Sequence, residues 1–314
     1  MLFFLSRRVL TALLVLLLVS VLAALFLDLM PGDPASVILG EQATPDAVRR
    51  LNEQLGLDQP FLVRYLHWLV GALHGDFGTS LFGGTQVASA IWSRLPVTAS
   101  LAFVSTLVAI LIGCSAGILA ALRPGAAVDR TVLGVSGIGV AVPHFWFALI
   151  LISVFALQLK WFPATGYTPL GDSPGEWARG LVLPATAMCL ATCAILARQT
   201  RSAMVGVLGR DYIRAARGRG LSPATIVFQH GLKNAFIPII TTIGLIVSDV
   251  VGATVFIESV FGMPGIGQLL ITSVQNRDIP TVQGIIVVVA VGVLVVNLLV
   301  DLAYGWLNPK ARTS

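Results

Sequence analysis

The sequence predicts an all-α integral membrane protein with six transmembrane helices and both termini on the cytoplasmic side. Of its 314 residues, 56% are hydrophobic and 11% are charged, whereas soluble globular proteins carry roughly 25% charged residues. Several stretches have the roughly 20 apolar residues that a helix needs to cross a bilayer core. Backbone groups in lipid must be satisfied within a helix or a closed barrel, and the sequence lacks the alternating pattern of barrel strands.

The predicted spans begin close to the N-terminus. The first follows Arg7 and Arg8, as the apolar region of a secretory signal would, but its 19 uncharged residues up to Leu27 exceed the roughly 7–15 residues of such a region. We therefore expect a retained helix, and we expect the fourth span to be the shortest. The predicted spans are Val9–Met30, Thr98–Leu122, Thr131–Leu159, Leu181–Ala197, Ala235–Ile257 and Ile279–Val300.

The distribution of Lys and Arg sets the predicted orientation, because cytoplasmic connections are enriched in both. The connection Arg198–Asn234 carries seven positive charges against Asp211 alone, and Lys310 and Arg312 lie near the C-terminus. Both termini are therefore predicted to be cytoplasmic. The chain divides into a first transmembrane helix (1–30), an external subdomain (31–96) and a five-helix core (97–314) with a long cytoplasmic connection at about 208–234.

The external subdomain is predicted to be ordered. After the turn-rich start Pro31–Pro34, Thr44 is placed to cap a helix that has proline at its first position and ends at Leu55 before a glycine. A second helix is expected near Leu62–Leu73. We therefore expect the subdomain to contain two ordered helices.

The long cytoplasmic connection is predicted to fold as helix, tight turn and helix. The first helix runs to Arg219, and Gly220 suits a left-handed C-terminal cap. Ser222 suits an N-cap with Pro223 at the first position of the next helix. Capped helices of this kind are not needed in a plain positive-inside anchor.

The same connection has the composition of a docking surface. The pair Ala215 and Ala216 predicts a flat face that another protein can approach closely. The surrounding arginines can pair with acidic groups of a partner or with lipid phosphates. A lipid-facing amphipathic connection, a plain anchor and a DNA-binding helix-turn-helix are the alternatives, and the last fits poorly with a membrane core.

A second unusual segment follows the fifth span. Phe256, Phe261 and Met263 are apolar groups at a predicted water boundary, and the prolines and glycines that follow break the helix and permit tight turns. A re-entrant or gate element at the external surface fits this pattern, and an ordinary interfacial turn is the alternative. The gate candidates are Glu258, Phe261, Pro264, Gly265 and Gly267.

Polar residues inside the spans are candidates for a solute path. Asp249 lies within the fifth span, where an ionisable group is costly and usually faces a cavity or a partner. It is predicted either to contact a cationic group of a solute or to pair with a neighbouring subunit. His144 and Asn297 are further path candidates, with inter-helix hydrogen bonding as the more conservative interpretation.

The sequence also lacks several kinds of chemistry. None of Lys160, Lys233 and Lys310 completes the Gly-x4-Gly-Lys-Ser/Thr motif of a nucleotide-binding loop. The three cysteines lie in apolar runs without metal-ligand or disulfide spacing. We therefore expect no enzyme activity, no metal and no cofactor on this chain.

One motif resembles a known family. Arg214-Ala-Ala-x-x-x-Gly220 is similar to the cytoplasmic EAA loop of permease subunits of ATP-binding-cassette (ABC) importers, although Arg214 stands where many such loops have Glu. His230 and Lys233 also depart from the general pattern. The variant that begins at Tyr212 is similar to the loop of the dipeptide, oligopeptide and nickel branch.

The resemblance extends along nearly the whole chain through the order and spacing of individually weak motifs. It is a resemblance to the B-type permease, which in that family pairs with a homologous C-type permease. The motifs are Pro31-Gly-Asp-Pro34, Leu55-Gly-Leu-Asp-x-Pro60, Gly75-Asp-Phe-Gly-x-Ser80, Arg94-Leu-Pro-x-Thr98 and the run from Glu258 to Gly267.

This resemblance implies a permease in the bacterial inner membrane that imports di- or oligopeptides, nickel or another small solute. The implied partners are a homologous second permease, two ATP-binding subunits that carry ATP and Mg, an extracytoplasmic substrate-binding protein and the lipid bilayer, with no nucleic acid. The residues implied in ATPase coupling are Tyr212, Arg214, Ala215, Ala216, Arg217, Gly220 and Leu221. The alternative is a self-contained secondary transporter or channel, which would need no ATPase.

Overall fold

The computed structural model describes residues 2–29 and 32–307, and over these residues the fold is helical without a β-strand. Met30, Pro31, Lys310 and Arg312, which figure in the predictions above, lie outside this part. The helices are α1 (Leu2–Asp28), α2 (Pro34–Leu39), α3 (Pro45–Leu55), α4 (Phe61–Leu73), α5 (Val87–Leu122), α6 (Ala127–Ala141), α7 (His144–Leu151), α8 (Pro174–Leu208), α9 (Asp211–Gly218), α10 (Pro223–Thr225), α11 (Lys233–Val260), α12 (Ile266–Gln275) and α13 (Ile279–Leu307). π-Helical turns at Ile152–Gln158 and Ile226–Leu232 extend α7 and join α10 to α11.

The chain folds into two units. The first contains the residues up to Thr98 together with Pro264–Leu294, and the second contains Ala99–Met263 and the chain from Val295 onward. The division predicted from the sequence, at residues 30 and 96, follows the expected membrane topology and stays a prediction.

Local capping explains the short helices of the first unit. The Thr44 hydroxyl accepts a hydrogen bond from the Ala47 amide at 3.3 Å, and Gly56 ends α3 in the left-handed conformation at φ 65°. Both predicted helices of this region, α3 and α4, are confirmed. Helix α2 was not predicted; the Asp33 carboxylate caps it by accepting from the Ala35 amide at 2.9 Å.

A buried carboxylate holds the end of this region against the start of α13. Asp278 accepts hydrogen bonds from the Ser80 hydroxyl, from the Leu81 amide at 3.1 Å and from the Thr281 hydroxyl at 2.8 Å. An apolar cluster of Val87, Ile91, Ile266 and Ile285 lies in the same unit. The first unit is thus joined by polar and apolar contacts.

Within residues 2–29 and 32–307, five helices are long and apolar enough to cross a membrane, and α6 with α7 makes a sixth candidate if that pair counts as one span. The axes of this pair bend by 100° at Val142–Pro143. Val142 is extended (φ −83°, ψ 120°), as expected for a residue whose α conformation is disfavoured by the following proline. The prediction of one continuous helix over Thr131–Leu159 is therefore wrong.

Helix α8 corrects the prediction for the fourth span. It covers 35 residues from Pro174 to Leu208, whereas the sequence predicted the shortest span at Leu181–Ala197. Charged residues near both ends, including Glu176 and Arg201, interrupt the apolar run but not the helix. In its most apolar window 61% of the residues are buried, compared with 22–28% in the other long helices. Helix α8 is therefore the central helix of the second unit.

Glycines let α5 approach α8 closely. A Cβ at Gly117 would lie 2.5 Å from the Ala197 carbonyl oxygen and 2.7 Å from Thr200 Cβ. A Cβ at Gly113 would lie 2.8 Å from the Cys193 carbonyl oxygen. Because real Cβ atoms do not reach such distances, the two helices pack at a separation that only glycine permits at these positions.

We expect Gly117→Ala to destabilise the second unit by about 1–3 kcal/mol, because the added methyl group overpacks a backbone contact. The measurement is the midpoint of thermal unfolding in detergent. Gly134→Ala in α6 is the matched control, since a Cβ there meets no atom within 4 Å and alanine favours a helix by roughly 0.5–1 kcal/mol. A midpoint for Gly117→Ala at or above that of the parent would contradict the close approach.

Candidate functional site

The long connection at about 208–234, called the coupling loop from here on, folds as helix, turn and helix, as its caps predicted. After α9 ends at Gly218, Gly220 adopts φ 79°, and its amide donates to the Arg217 carbonyl oxygen at 2.9 Å. The Leu221 amide donates to the Ala216 carbonyl oxygen at 3.3 Å. The Ser222 hydroxyl then accepts from the Thr225 amide at 3.2 Å and so caps α10. The turn is thereby closed by backbone and side-chain hydrogen bonds.

Helix α9 has an inner and an outer face. Ile213 and Ala216, three residues apart, are buried and pack with Ile226 and Leu208. Ala215 is exposed. The predicted flat face of two alanines is therefore wrong in part: Ala216 packs inside the chain, because the helical period places it beside Ile213, and Ala215 alone is presented outward.

The outer face of α9 is basic and partly aromatic. Tyr212, Arg214 and Arg217 are exposed, and Arg214 forms an exposed ion pair with Asp211 at 3.3 Å. Such an exposed pair contributes little to stability. The charges of this face are therefore available to a partner rather than committed to the fold.

The segment that follows the turn, α10 and the π-helical turn Ile226–Leu232, packs tightly on α8. Val227 joins an apolar cluster with Met204 and Val207 of α8. A Cβ at Gly231 would lie 3.1 Å from Met204 Cε and 3.3 Å from the Ile226 carbonyl oxygen. The loop is therefore connected to the central helix through contacts with little free space.

A buried ion pair, which we did not predict from the sequence, joins α6 to α8. The Asp129 side chain is 3% exposed and forms a bidentate pair with Arg201, in which Arg201 Nη2 lies 2.7 Å from Asp129 Oδ2. The Gly125 amide donates to the same oxygen at 2.7 Å. Arg201 lies two helical turns before Leu208, where the coupling loop begins, so the pair fixes α6 to α8 near the loop.

The Glu258–Gly267 segment is a compact turn rather than an exposed apolar one. Glu258, Phe261 and Met263 are buried, and the Met263 amide donates to the Glu258 carbonyl oxygen at 2.8 Å. The Phe261 carbonyl oxygen accepts from the Gly166 amide at 3.0 Å. The expectation that Phe261 and Met263 lie at a water boundary is therefore wrong within this chain.

The chain passes from the second unit to the first after Met263. Pro264 is exposed, while Gly265 and Gly267 are buried. The Ile266 amide at the start of α12 donates to the Thr98 hydroxyl at 2.9 Å. Helix α12 was not predicted; its apolar residues lie too close to the Pro-Gly break to stand out as a separate stretch.

The three predicted path residues occupy different environments. Asp249 is exposed on α11 and has no hydrogen bond or ion pair among the residues that the structure describes. The Ser248 hydroxyl, one residue earlier, donates to Asn297 Oδ1 of α13 at 3.5 Å. His144 Nδ1 lies 3.3 Å from the Ala187 carbonyl oxygen of α8. Asn297 and His144 thus make inter-helix contacts, whereas Asp249 is exposed.

Two family models match the chain. Residues 113–313 match the inner membrane component of binding-protein-dependent transport systems, and residues 1–102 match the N-terminal part of the membrane component of such systems. Together these matches cover nearly the whole chain, including α9 and the turn that follows it.

Curated relatives are similar over almost their full length. The chain is 40% identical over 309 residues to a probable peptide ABC transporter permease of Sinorhizobium fredii, a match that covers 98% of this chain and 99% of that one. It is 38% identical to the oligopeptide transport permease AppB of Bacillus subtilis, with 98% of each chain covered. It is also 38% identical to the glutathione transport permease GsiC of Escherichia coli, with 99% of each chain covered.

A solved structure shares the fold. The MetNI methionine ABC transporter, in an inward-facing conformation, matches with a TM-score of 0.56 at 18% identity. The match covers 68% of this chain and 93% of that one. At this identity the likeness concerns the fold alone.

Proposed function

Because this chain belongs to the family of binding-protein-dependent transport system inner membrane components, we propose that it forms the translocation path for di- and oligopeptides together with a homologous second permease. It is a multi-pass permease subunit of an ABC importer in the inner membrane. The observation that carries the peptide proposal is 38–40% identity, over almost the whole length, to relatives named for peptide and oligopeptide transport.

In this proposal the energy comes from two separate ATP-binding subunits that carry ATP and Mg. The outer face of α9 docks on them: Ala215 permits close approach, and Arg214 and Arg217 meet acidic groups. The inner face, Ile213 and Ala216, supports this proposal because it joins the docking helix to Leu208 at the end of α8. Leu221 and Gly220 shape the turn beyond it.

We assign the solute path to a surface of this chain that is exposed in the single subunit. Asp249 is exposed on α11 without a partner among the described residues, and a carboxylate in such a place normally faces a cavity or another subunit. It is proposed to meet either the amino group of a peptide or a polar group of the second permease. His144 and Asn297 support the helices around it.

The Glu258–Gly267 segment is proposed as the external gate. An extracytoplasmic substrate-binding protein delivers the solute above it. ATP binding and solute binding then shift the population between inward- and outward-facing states, since a ligand shifts such an equilibrium only through different affinities for the two states. The buried turn at Phe261 supports the proposal because a packed turn can move as one piece.

The test is uptake in the native host after deletion of this chain and complementation with the parent or with Asp249→Asn. Labelled dialanine, tetra-alanine and nickel are offered separately. We expect deletion to remove ATP-dependent uptake of at least one peptide and to leave nickel uptake unchanged. If the carboxylate binds the peptide ammonium group, we expect Asp249→Asn to reduce peptide uptake about tenfold. This corresponds to a loss of roughly 1.4 kcal/mol of binding free energy.

The same strains distinguish the alternatives. Lost nickel uptake with normal peptide uptake would reject the peptide proposal and retain the importer. Peptide uptake that survives removal of the co-purifying ATP-binding subunits would instead support a secondary transporter or channel. Asn297→Asp, which adds a charge at the neighbouring inter-helix contact, controls for a general effect of changing charge in this region.

A further inference from the structure

Two adjoining cavities in the first unit have the character of a binding site. They have volumes of about 220 and 340 Å³ and share Asp28, Leu57, Arg64 and Ile279 in their walls. Asp28 ends one candidate membrane span and Ile279 begins another. The cavities therefore lie at the depth where apolar spans give way to water.

The walls contain polar atoms that have lost water without gaining a partner. Asn52 Oδ1, Arg64 Nε and Trp68 Nε1 are each buried and lack a hydrogen bond. Leaving such atoms unpaired destabilises the fold, because each has given up its hydrogen bonds to water. Two of them are donors and one is an acceptor, so a suitable ligand offers both acceptor and donor groups.

The charges of the smaller cavity specify the ligand further. The walls of this cavity contain two acidic residues, Asp28 and Asp33, and two basic residues, Arg64 and Arg277, so their formal charges cancel. Arg64 pairs with Asp28. Arg277 lies over Gly32, where a Cβ would overlap its guanidinium group, and has no ion pair among the described residues. A neutral cavity with one uncommitted guanidinium group suits a zwitterion whose anionic end meets Arg277.

Helix α4, which contributes Arg64 and Trp68 to the cavities, also has an apolar face. Helix α4 packs on α1 through a hydrogen bond of 2.8 Å between the Tyr65 and Ser20 hydroxyls. On the side of this helix away from Arg64 and Trp68, it exposes an apolar stripe at helical spacing: Leu62, Leu66, Val70 and Leu73. A short amphipathic helix of this kind at a membrane boundary lies against the acyl chains, so the cavities on its other side are within reach of lipid headgroups.

We propose that these cavities bind the headgroup of a phospholipid that carries a primary ammonium group. Its phosphate oxygens accept from Arg64 Nε and Trp68 Nε1 and neutralise Arg277. Its ammonium group donates to Asn52 Oδ1. A choline headgroup has no N–H to donate, and a glycerol headgroup adds net negative charge to a neutral cavity, so phosphatidylethanolamine fits best.

The test uses the complete transporter, purified in detergent and stripped of lipid. Phosphatidylethanolamine, phosphatidylcholine and phosphatidylglycerol with identical acyl chains are added in turn. Bound lipid is counted by native mass spectrometry, and the unfolding midpoint is followed. We expect phosphatidylethanolamine to bind and to raise the midpoint more than the other two lipids.

Arg277→Gln is expected to weaken phosphatidylethanolamine binding about tenfold, as the loss of roughly 1.4 kcal/mol would. Arg50→Gln is the matched control, since it makes the same charge change on the exposed side of α3. Arg277→Lys, which keeps the charge, should restore part of the affinity. Because each variant is compared across lipids, a general loss of stability does not mimic the effect.

Three outcomes would overturn the proposal. Equal binding of all three lipids would mean that the headgroup is not recognised. Unchanged affinity in Arg277→Gln would place the lipid elsewhere. The same midpoint shift with water-soluble glycerophosphoethanolamine, or with dialanine, would identify the cavities as a site for a small polar solute.

Discussion

Ala215→Glu is expected to abolish ATP-driven uptake while the permease stays folded and inserted. Ala215 is exposed on the outer face of α9 and is not part of the buried cluster of Ile213, Ala216 and Ile226, so a larger side chain there leaves that cluster intact. On the proposed docking face the added carboxylate holds the ATP-binding subunit away. A central interface residue is worth about 2 kcal/mol or more, which corresponds to a loss of affinity of roughly thirtyfold.

The measurement is the ratio of ATP-binding subunits to permease after purification in mild detergent, together with uptake. Ala127→Glu is the matched control, because it places the same charge at an exposed alanine in the first turn of α6. Ala216→Glu serves as the contrast: its side chain would enter the buried cluster with Ile213 and lower the unfolding midpoint as well.

Two results would contradict the proposal that the ATP-binding subunits dock on the outer face of α9. If Ala215→Glu retains its ATP-binding subunits and its uptake, the outer face of α9 is not the docking surface. If the chain purifies alone even as the parent, the coupling proposal fails as a whole. A substitution of Gly220 is a weaker test of docking. The backbone there has φ 79°, which is forbidden to proline and strained for other residues, so the turn itself would be lost.

Local sequence signals predicted local structure well in this protein. Thr44, Gly220 and Ser222 each cap or end a helix as their chemistry predicts. These positions depend on atoms only a few residues away. The burial of Ala216 was predictable in the same way, since its spacing of three from Ile213 places both on one face.

The missed features depend on contacts that are distant in sequence or on backbone geometry. The bend at Pro143 was missed because the residues on both sides are apolar and hydropathy does not distinguish a straight span from a broken one. The length of α8 was missed because Arg201 interrupts the apolar run. Its charge is balanced by Asp129, 72 residues away, and a single sequence does not reveal that pairing.

Arg201→Ala is expected to destabilise the second unit by about 3–5 kcal/mol. Asp129 is 3% exposed and would lose its bidentate partner, keeping the Gly125 amide as a hydrogen-bond donor and the charge of the neighbouring Arg130. Removing one partner of a buried pair typically costs this much. The unfolding midpoint in detergent measures the effect, and Arg198→Ala, an exposed arginine one turn earlier, is the control.

A double-variant cycle separates the ion pair from a simple packing loss. Asp129→Asn combined with Arg201→Ala removes the unpaired charge, so it should be more stable than Arg201→Ala alone by about 1 kcal/mol or more, since the cost of an unpaired buried charge exceeds that of a neutral amide. An additive result would mean that Arg201 acts through packing alone. Because Arg201 precedes the coupling loop on α8, a stable double variant with reduced uptake would show that the α6–α8 connection also transmits motion from α9.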